Sequence, residues 1–413
     1  MRRRVVVTGL GTVTPIGHGS RGLYEGLRRE RSAIDRLTRF DPGPFNCKIA
    51  AEVRDFDPAA YLEPKRLRRL DRYSQFGVAC ARMAIADAHL ALAEENRDAI
   101  GCFVGSALGG AAFAEEQHGV FMTQGIHRVR PTLALSVFAG AASCNIAIEF
   151  DLRGPSSANS DSCSSGAIAI GEAFRTVRDG YADLMLAGGV EVPLTPLIFG
   201  AFAVIRAMST RNDEPARACR PFDRGRDGFV MAEGAALLVL EDLEHARRRG
   251  APIYGEVLGY GTSNDAHHMT APLPSGTQAA RAMRSALEEA GLPPEAVDYV
   301  NAHASGTPLN DATETLAIKQ VLGDHAYRVP ISGTKAMHGH ALGATGAIEA
   351  ASCMLTLRHA YLPPTLNLED PDPACDLDYI PGRGREVAVR HILSNSFGFG
   401  GINASLVFGE GPG

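Results

Sequence analysis

Short β-rich runs alternate with longer helical patterns along this 413-residue chain, and the alternation starts afresh past its midpoint. Few arrangements satisfy such a rhythm. Buried strands separated by helices pack as α/β layers around sheets covered on both faces. The sequence predicts strands at 4–8 (ending in Gly9 and Gly11), 99–104, 183–186 (closed by Gly188 and Gly189) and 235–240. Helical spacing covers 73–92 and 167–177, Ser20 offers a cap for an earlier helix, and EDLEHARRRG supplies a charged one. The second cycle reads strand 254–260, helix 278–290, strand 297–302, helix 312–322, strand 329–332, helix 341–358, then strands 391–395 and 403–408. The break at 247–251 divides the chain into halves 1–250 and 251–413. The rhythm suggests a duplication, although identity between the halves is too low to establish one. At roughly 100–200 residues per domain, the length fits two or three units or one large duplicated fold.

Composition removes several function classes. Hydrophobic residues make up 45% and charged residues 21%, enough for a sizeable core and unlike disordered or fibrous chains. Forty-one basic against 47 acidic residues give a net charge of −6, which does not favour general binding to nucleic acid or a membrane surface. The start, MRRRVVVTGLG, has a basic flank but no apolar stretch after it, unlike a signal peptide. No apolar run approaches the ~18 residues of a membrane span. The eight cysteines are scattered and form no CxxC pair, so they read as reduced thiols of a cytoplasmic protein with no zinc site.

Four segments carry candidate chemistry. In GPSSANSDSCSSGAIAIGEAF, Cys163 lies among small residues before Gly166 and an apolar helical pattern. A thiol at a helix start is drawn toward thiolate by the helix dipole, although an isolated cysteine is more often inert core filler. In VDYVNAHASGTPLND, His303 follows a buried strand, and Ser305, Gly306 and Thr307 suit the lining of a narrow channel. A histidine satisfied by backbone is the alternative. In GTKAMHGHALGATGAIEAASCML, His340 stands among glycines, with Lys335 five residues before it and Glu349 nine after. A buried Lys335–Glu349 pair would hold this loop; the apolar run around Glu349 argues against a solvated one. In SNSFGFGGINASLVF, Gly398, Gly400 and Gly401 surround Phe397 and Phe399. Amides of that loop suit an oxyanion hole, or it is simply a glycine-rich turn.

Together these motifs, with VVVTGLGTVTPIG and STRNDEPARACRPFDRGRDGFV, resemble the elongating β-ketoacyl-acyl carrier protein synthases over essentially the whole chain. The resemblance implies a thiolase fold: duplicated βαβαβαβ halves in a five-layered α-β-α-β-α core. It implies that Cys163 takes an acyl chain from a phosphopantetheine thioester, and that malonyl carrier protein then loses carbon dioxide and attacks it. His303 and His340, as neutral imidazoles, would stabilise the enolate, and the amides of Cys163 and Phe399 the tetrahedral oxyanion. Lys335 would be an organiser paired with Glu349, Ser305 and Thr307 would contact the pantetheine arm, and Leu108 would bind substrate. No cofactor is implied beyond the phosphopantetheine of the acyl carrier protein.

Two departures stand out: Asp161-Ser162-Cys163 where Thr-Ala-Cys is usual, and Ala304-Ser305-Gly306-Thr307-Pro308 where Gly-Thr-Ser-Thr-Pro is common. They favour the ketosynthase subunit of a type II polyketide synthase over a housekeeping fatty-acid enzyme. Cys163 argues against a non-catalytic chain-length partner, and the lack of a carboxylate-rich ligand set argues against a metal hydrolase built on His267, His268, His338 and His340. A degradative thiolase would carry a second cysteine near SNSFGFGG, where none sits. Lys65, Arg66, Arg68 and Arg69, with Arg206 by resemblance, form the expected docking patch for an acidic carrier protein. The apolar stretch 133–148 is either a core helix or a face for a partner: a second copy, or by weak preference a chain-length-factor-like subunit.

Overall fold

The computed structural model describes residues 2–411 and is built from two copies of one strand order. The first half contributes β1 (Val5–Thr14), β2 (Ile100–Gly105), β3 (Ser156–Asn159), β4 (Leu184–Glu191) and β5 (Gly234–Asp242). The second contributes β6 (Gly255–Asn264), β7 (Tyr299–Asn301), β8 (Ile331–Ser332), β9 (His391–Gly398) and β10 (Ile402–Gly409). In space the first set runs β1-β5-β4-β2-β3 and the second β6-β10-β9-β7-β8. Adding five to each label of the first order gives the second. The pairings agree as well: β1·β5 and β6·β10 are antiparallel, as are β4·β5 and β9·β10. The two pairs nearest the sheet edge in each half, β4·β2 and β2·β3 in the first and β9·β7 and β7·β8 in the second, are parallel. The repeat that weak identity left unproved is thus explicit in the topology. The halves join where Val5, Val6 and Val7 pair antiparallel with Val257, Glu256 and Gly255.

Helices complete the layers. α1 (Arg72–Asp87) packs on β1 and β5, and α3 (Thr277–Ala290) packs on β6 and β10. α2 (Ser165–Arg178) and α5 (Thr345–His359) contact each other and strands of both halves, which makes them the central layer. α4 (Pro308–Leu322) packs against α3. The result is the α-β-α-β-α thiolase-like arrangement. β5 is buried from Gly234 through Glu241, as a strand covered on both faces must be.

Two strands run past the glycines at which the sequence predicts their ends. β1 continues through Gly9 and Gly11, because α1 lies so close that a Cβ on Gly11 would sit 1.9 Å from the Cys80 carbonyl oxygen. β4 continues through Gly188 and Gly189, where a Cβ on Gly188 would meet the Ala236 carbonyl oxygen at 2.0 Å. These glycines mark close approach, not chain reversal. The predicted helix 341–358 divides into a 3₁₀ turn, Leu342–Ala344, and α5. The helices Ala111–Gln124 and Pro196–Val204 were not foreseen. The stretch 133–148 is not one helix. A turn of helix, Leu133–Ser136, precedes Ala141–Phe150, whose Ala141, Ala142 and Ile146 are buried while Ile148 is exposed. Leu135, Val137 and Phe138 face outward with it. No helix among the described residues is long and apolar enough to cross a membrane.

Candidate active site

A cavity of about 330 Å³ opens between the halves, and Cys163, His303, His340 and Phe399 all line it. Cys163 sits in the 3₁₀ turn Ser162–Ser164 that leads into α2. Ser162 is held at φ 53°, a left-handed conformation unusual for serine, which throws the thiol toward the cavity. The turn is tied to the other half: the single Ser164 hydroxyl proton lies between the carbonyls of Ile402 (2.7 Å) and Ser396 (2.9 Å). Gly398 lies against it so closely that a Cβ there would be 3.2 Å from the Cys163 amide nitrogen.

Burial pushes the Cys163 thiol up to about 11. The Phe399 amide, the Lys335 charge and the cysteine's own amide pull the other way without reversing this. The lowered thiol expected from a helix start is therefore not found: desolvation outweighs the amides. The Phe399 amide and the cysteine's own amide both act on the thiol, so two backbone donors lie beside the reacting atom.

His303 follows β7, and its loop is held by a carboxylate that the sequence reading did not single out. The Glu314 side chain on α4 accepts from the amides of His303 (2.8 Å) and Ala304 (2.8 Å) and from Asn395 Nδ2 (3.2 Å). Burial raises Glu314 to about 7. The signal was available: Asp311, Glu314, Ile318 and Val321 fall on one face of α4, and that face is buried. His340 is anchored through its amide to the Val230 carbonyl (2.8 Å), and its Nδ1 faces Thr345 Oγ1 at 2.9 Å. With that hydroxyl donating, the ring proton sits on Nε2. The His303 and His340 rings meet edge to face, 5.4 Å between centroids. Burial, the Lys335 charge and a neighbouring histidine hold both well below the ordinary imidazole range, so both are neutral.

Lys335 and Glu349 are buried and paired at 2.6 Å, and the same ammonium donates to the His303 carbonyl. Burial raises Glu349 to about 7 against the pull of Lys335. Ser305 and Thr307 line the cavity and share a hydrogen bond at 2.9 Å. Phe399 stacks on Phe202 (6.3 Å between centroids), and Arg206 is exposed at the cavity wall.

Not every predicted residue joins this group. Leu108 lies outside the cavity lining and packs instead on the apolar cluster that includes Cys163. The sequence shows the residue but not which side of the thiol it approaches. Lys65, Arg68 and Arg69 are exposed as expected, but Arg66 is partly buried and bound to Glu149 at 3.0 Å. Among the described residues, Lys65, Arg68 and Arg69 form no ion pair, and Arg66 is the one of the predicted four that does. The four histidines of the metal reading do not converge. His268 lines the cavity in an exposed loop beside His267, while the buried His338 ring faces the Gly339 carbonyl through Nδ1 (2.8 Å) and Thr334 Oγ1 through Nε2 (3.1 Å).

A buried thiol, two neutral imidazoles and two amides around one cavity, on a duplicated five-layered α/β core, define a thiolase-like condensing enzyme. Comparison with known proteins narrows the class. Residues 2–246 match the family described as beta-ketoacyl synthase, N-terminal domain, and residues 254–369 the corresponding C-terminal domain. The 3-oxoacyl-[acyl-carrier-protein] synthase 2 of Synechocystis is 48% identical over 98% of both chains, and that of Coxiella burnetii 46% over 98% of both. Among solved structures, a type II polyketide acyl-carrier protein in complex with its ketosynthase matches with a TM-score of 0.92 at 36% identity, over 100% of both chains. The ishigamide ketosynthase/chain length factor matches at 0.94 and 37%, again over 100% of both. This chain belongs to the beta-ketoacyl synthase family and is an acyltransferase of the condensing kind.

Proposed function

We propose that the protein elongates an acyl chain held on Cys163 with malonyl-acyl carrier protein, needing no cofactor beyond the carrier's phosphopantetheine. The observation that carries this reading is the convergence of Cys163, His303, His340 and Phe399 on one cavity. In the first half-reaction the Cys163 sulfur attacks the acyl thioester, the carrier thiol leaves, and the cysteine proton ends on it. The amides of Cys163 and Phe399 receive the oxyanion. In the second, the malonyl C–CO₂ bond breaks and the electron pair moves onto the thioester oxygen, between the His303 and His340 N–H groups. The resulting carbon nucleophile attacks the acyl carbonyl, and Cys163 leaves as thiolate and is reprotonated. Lys335, fixed by Glu349, holds His303 through its carbonyl. Ser305 and Thr307 guide the pantetheine arm.

Fatty-acid elongation is the better supported pathway. The 3-oxoacyl synthases reach 48% and 46% identity, against 36% and 37% for the polyketide structures. This displaces the polyketide preference drawn from Asp161-Ser162 and Ala304–Gly306, departures that lie beside the site but remove no catalytic group. Polyketide assembly is the second reading, favoured by the close structural match to ketosynthases of that kind. Lys65, Arg68, Arg69 and Arg206 are proposed to dock the carrier protein, and the eight free cysteines suit a reducing cytoplasm. His303→Ala and His340→Ala test the mechanism. Each is expected to lower malonyl decarboxylation by about 10²–10³, the effect of one lost oxyanion donor, while Cys163 still accepts an acyl group. Parent-rate decarboxylation in both variants would contradict the assignment.

A further inference from the structure

Glu191 is a fully buried carboxylate at the end of β4 that the mechanism above does not use. It receives hydrogen bonds from both sides. From the loop after β2 come the amides of Ala107 (2.6 Å) and Leu108 (3.2 Å) and the hydroxyl of Ser106 (3.1 Å). From the 3₁₀ turn three residues beyond His340 comes the amide of Gly343 (3.0 Å). All four partners donate, so the cradle suits the two acceptor oxygens of a carboxyl group, and the NH₂ of an amide side chain would meet backbone N–H groups. The fit is tight. A Cβ on Gly343 would lie 2.3 Å from the Ala107 nitrogen and 2.7 Å from Glu191 Oε2. Ser106 is itself buried and braces the loop further, accepting from the Gly109 amide at 2.8 Å.

What this carboxylate holds together matters for the reaction. Ala107 and Leu108 pack on the apolar cluster that contains Cys163, outside the cavity through which the carrier arm reaches the thiol. Leu342, in the turn bonded to Glu191, belongs to the same cluster and also lines the cavity. Ser160, three residues before Cys163, donates through its hydroxyl to the Ala107 carbonyl (2.9 Å), which brings this loop beside the segment that carries the nucleophile and makes it a wall for an acyl chain that does not project back into the cavity.

We propose that Glu191 is a positioning residue that locks the 106–110 loop to the Leu342–Ala344 turn, and that this fixed wall sets which acyl chain lengths Cys163 accepts. The proposal rests on the condensing-enzyme reading. Glu191→Gln keeps the shape but turns an NH₂ group toward amide donors, which forces the loop and the turn apart. Glu191→Asp keeps the carboxyl group with a shorter reach.

The test loads short, medium and long acyl-acyl carrier proteins separately and follows acylation of Cys163 by intact mass. Glu191→Gln is expected to shift the ratio of long-chain to short-chain acylation rates by about tenfold, the scale on which a methylene's worth of pocket depth discriminates. Glu191→Asp should restore part of the ratio. Ser106→Ala, which removes one donor of four, should shift it in the same direction by less, and serves if Glu191→Gln does not fold. A folded Glu191→Gln with the parent ratio, or an equal loss at every chain length, overturns the proposal and leaves a merely structural role. A parent enzyme that takes up no acyl group overturns the condensing reading, and this proposal with it.

Discussion

Burying a nucleophilic thiol removes it from competing water but also disfavours its charged form, and at Cys163 the second effect is measurable. Burial sets the thiol at about 11, above the ordinary value of about 8.5, with the Phe399 amide and Lys335 only moderating the rise. Alkylation of Cys163 by iodoacetamide should therefore be slow at neutral pH and keep climbing as the pH passes about 9. A rate that levels off below about pH 8 would show a lowered thiol and contradict this electrostatic account. The histidines follow the same logic with the opposite sign. Burial penalises imidazolium, so His303 and His340 keep the neutral, donating form across the physiological range.

At the scale of elements, the site depends on groups brought in from distant helices. Lys335 and Glu349 are 14 positions apart, yet both side chains are fully buried and bonded at 2.6 Å. Glu349→Ala would strand a buried ammonium and is expected to cost ~3–5 kcal/mol, read as a lower denaturation midpoint. Lys335→Met combined with Glu349→Leu should recover most of that stability, yet leave decarboxylation impaired because the His303 carbonyl loses its anchor. Full recovery of both would make the pair purely structural. This pair was legible in the sequence, because a glutamate inside an apolar helix calls for a partner. Glu314 and Glu191 were not read. Their partners are backbone amides, and no side-chain pattern announces those. The strand ends at Gly9, Gly11, Gly188 and Gly189 were misplaced for a related reason. A glycine that admits a neighbouring helix or strand looks, in sequence, like one that turns the chain.

At the scale of the whole molecule, the alternation of strands and helices was enough to suggest two similar halves, and the strand order makes the duplication plain. The side of Cys163 on which Leu108 falls was not readable, since it depends on how the two halves close on each other. Nor could 133–148 be assigned to core or surface, because it serves as both. Ala141, Ala142 and Ile146 pack inward, while Leu135, Val137, Phe138 and Ile148 are exposed together with Phe121 and Met122. Such an apolar face on a chain of this family is proposed to meet a second thiolase-like subunit. Native mass measurement of the protein expressed alone should give a homodimer if it elongates fatty acids. A monomer that assembles only with a cysteine-free paralogue would favour the polyketide reading instead.

The central claim is that Cys163 carries the chain and the two histidines supply the carbon nucleophile. Loading the enzyme with acyl-acyl carrier protein, removing the carrier and adding malonyl-acyl carrier protein tests both at once by intact mass. The expected result is an acyl adduct that maps to Cys163 and then disappears as the carrier gains a 3-oxoacyl group two carbons longer than the adduct. An adduct on another cysteine, or carbon dioxide released while the Cys163 adduct persists, would contradict it.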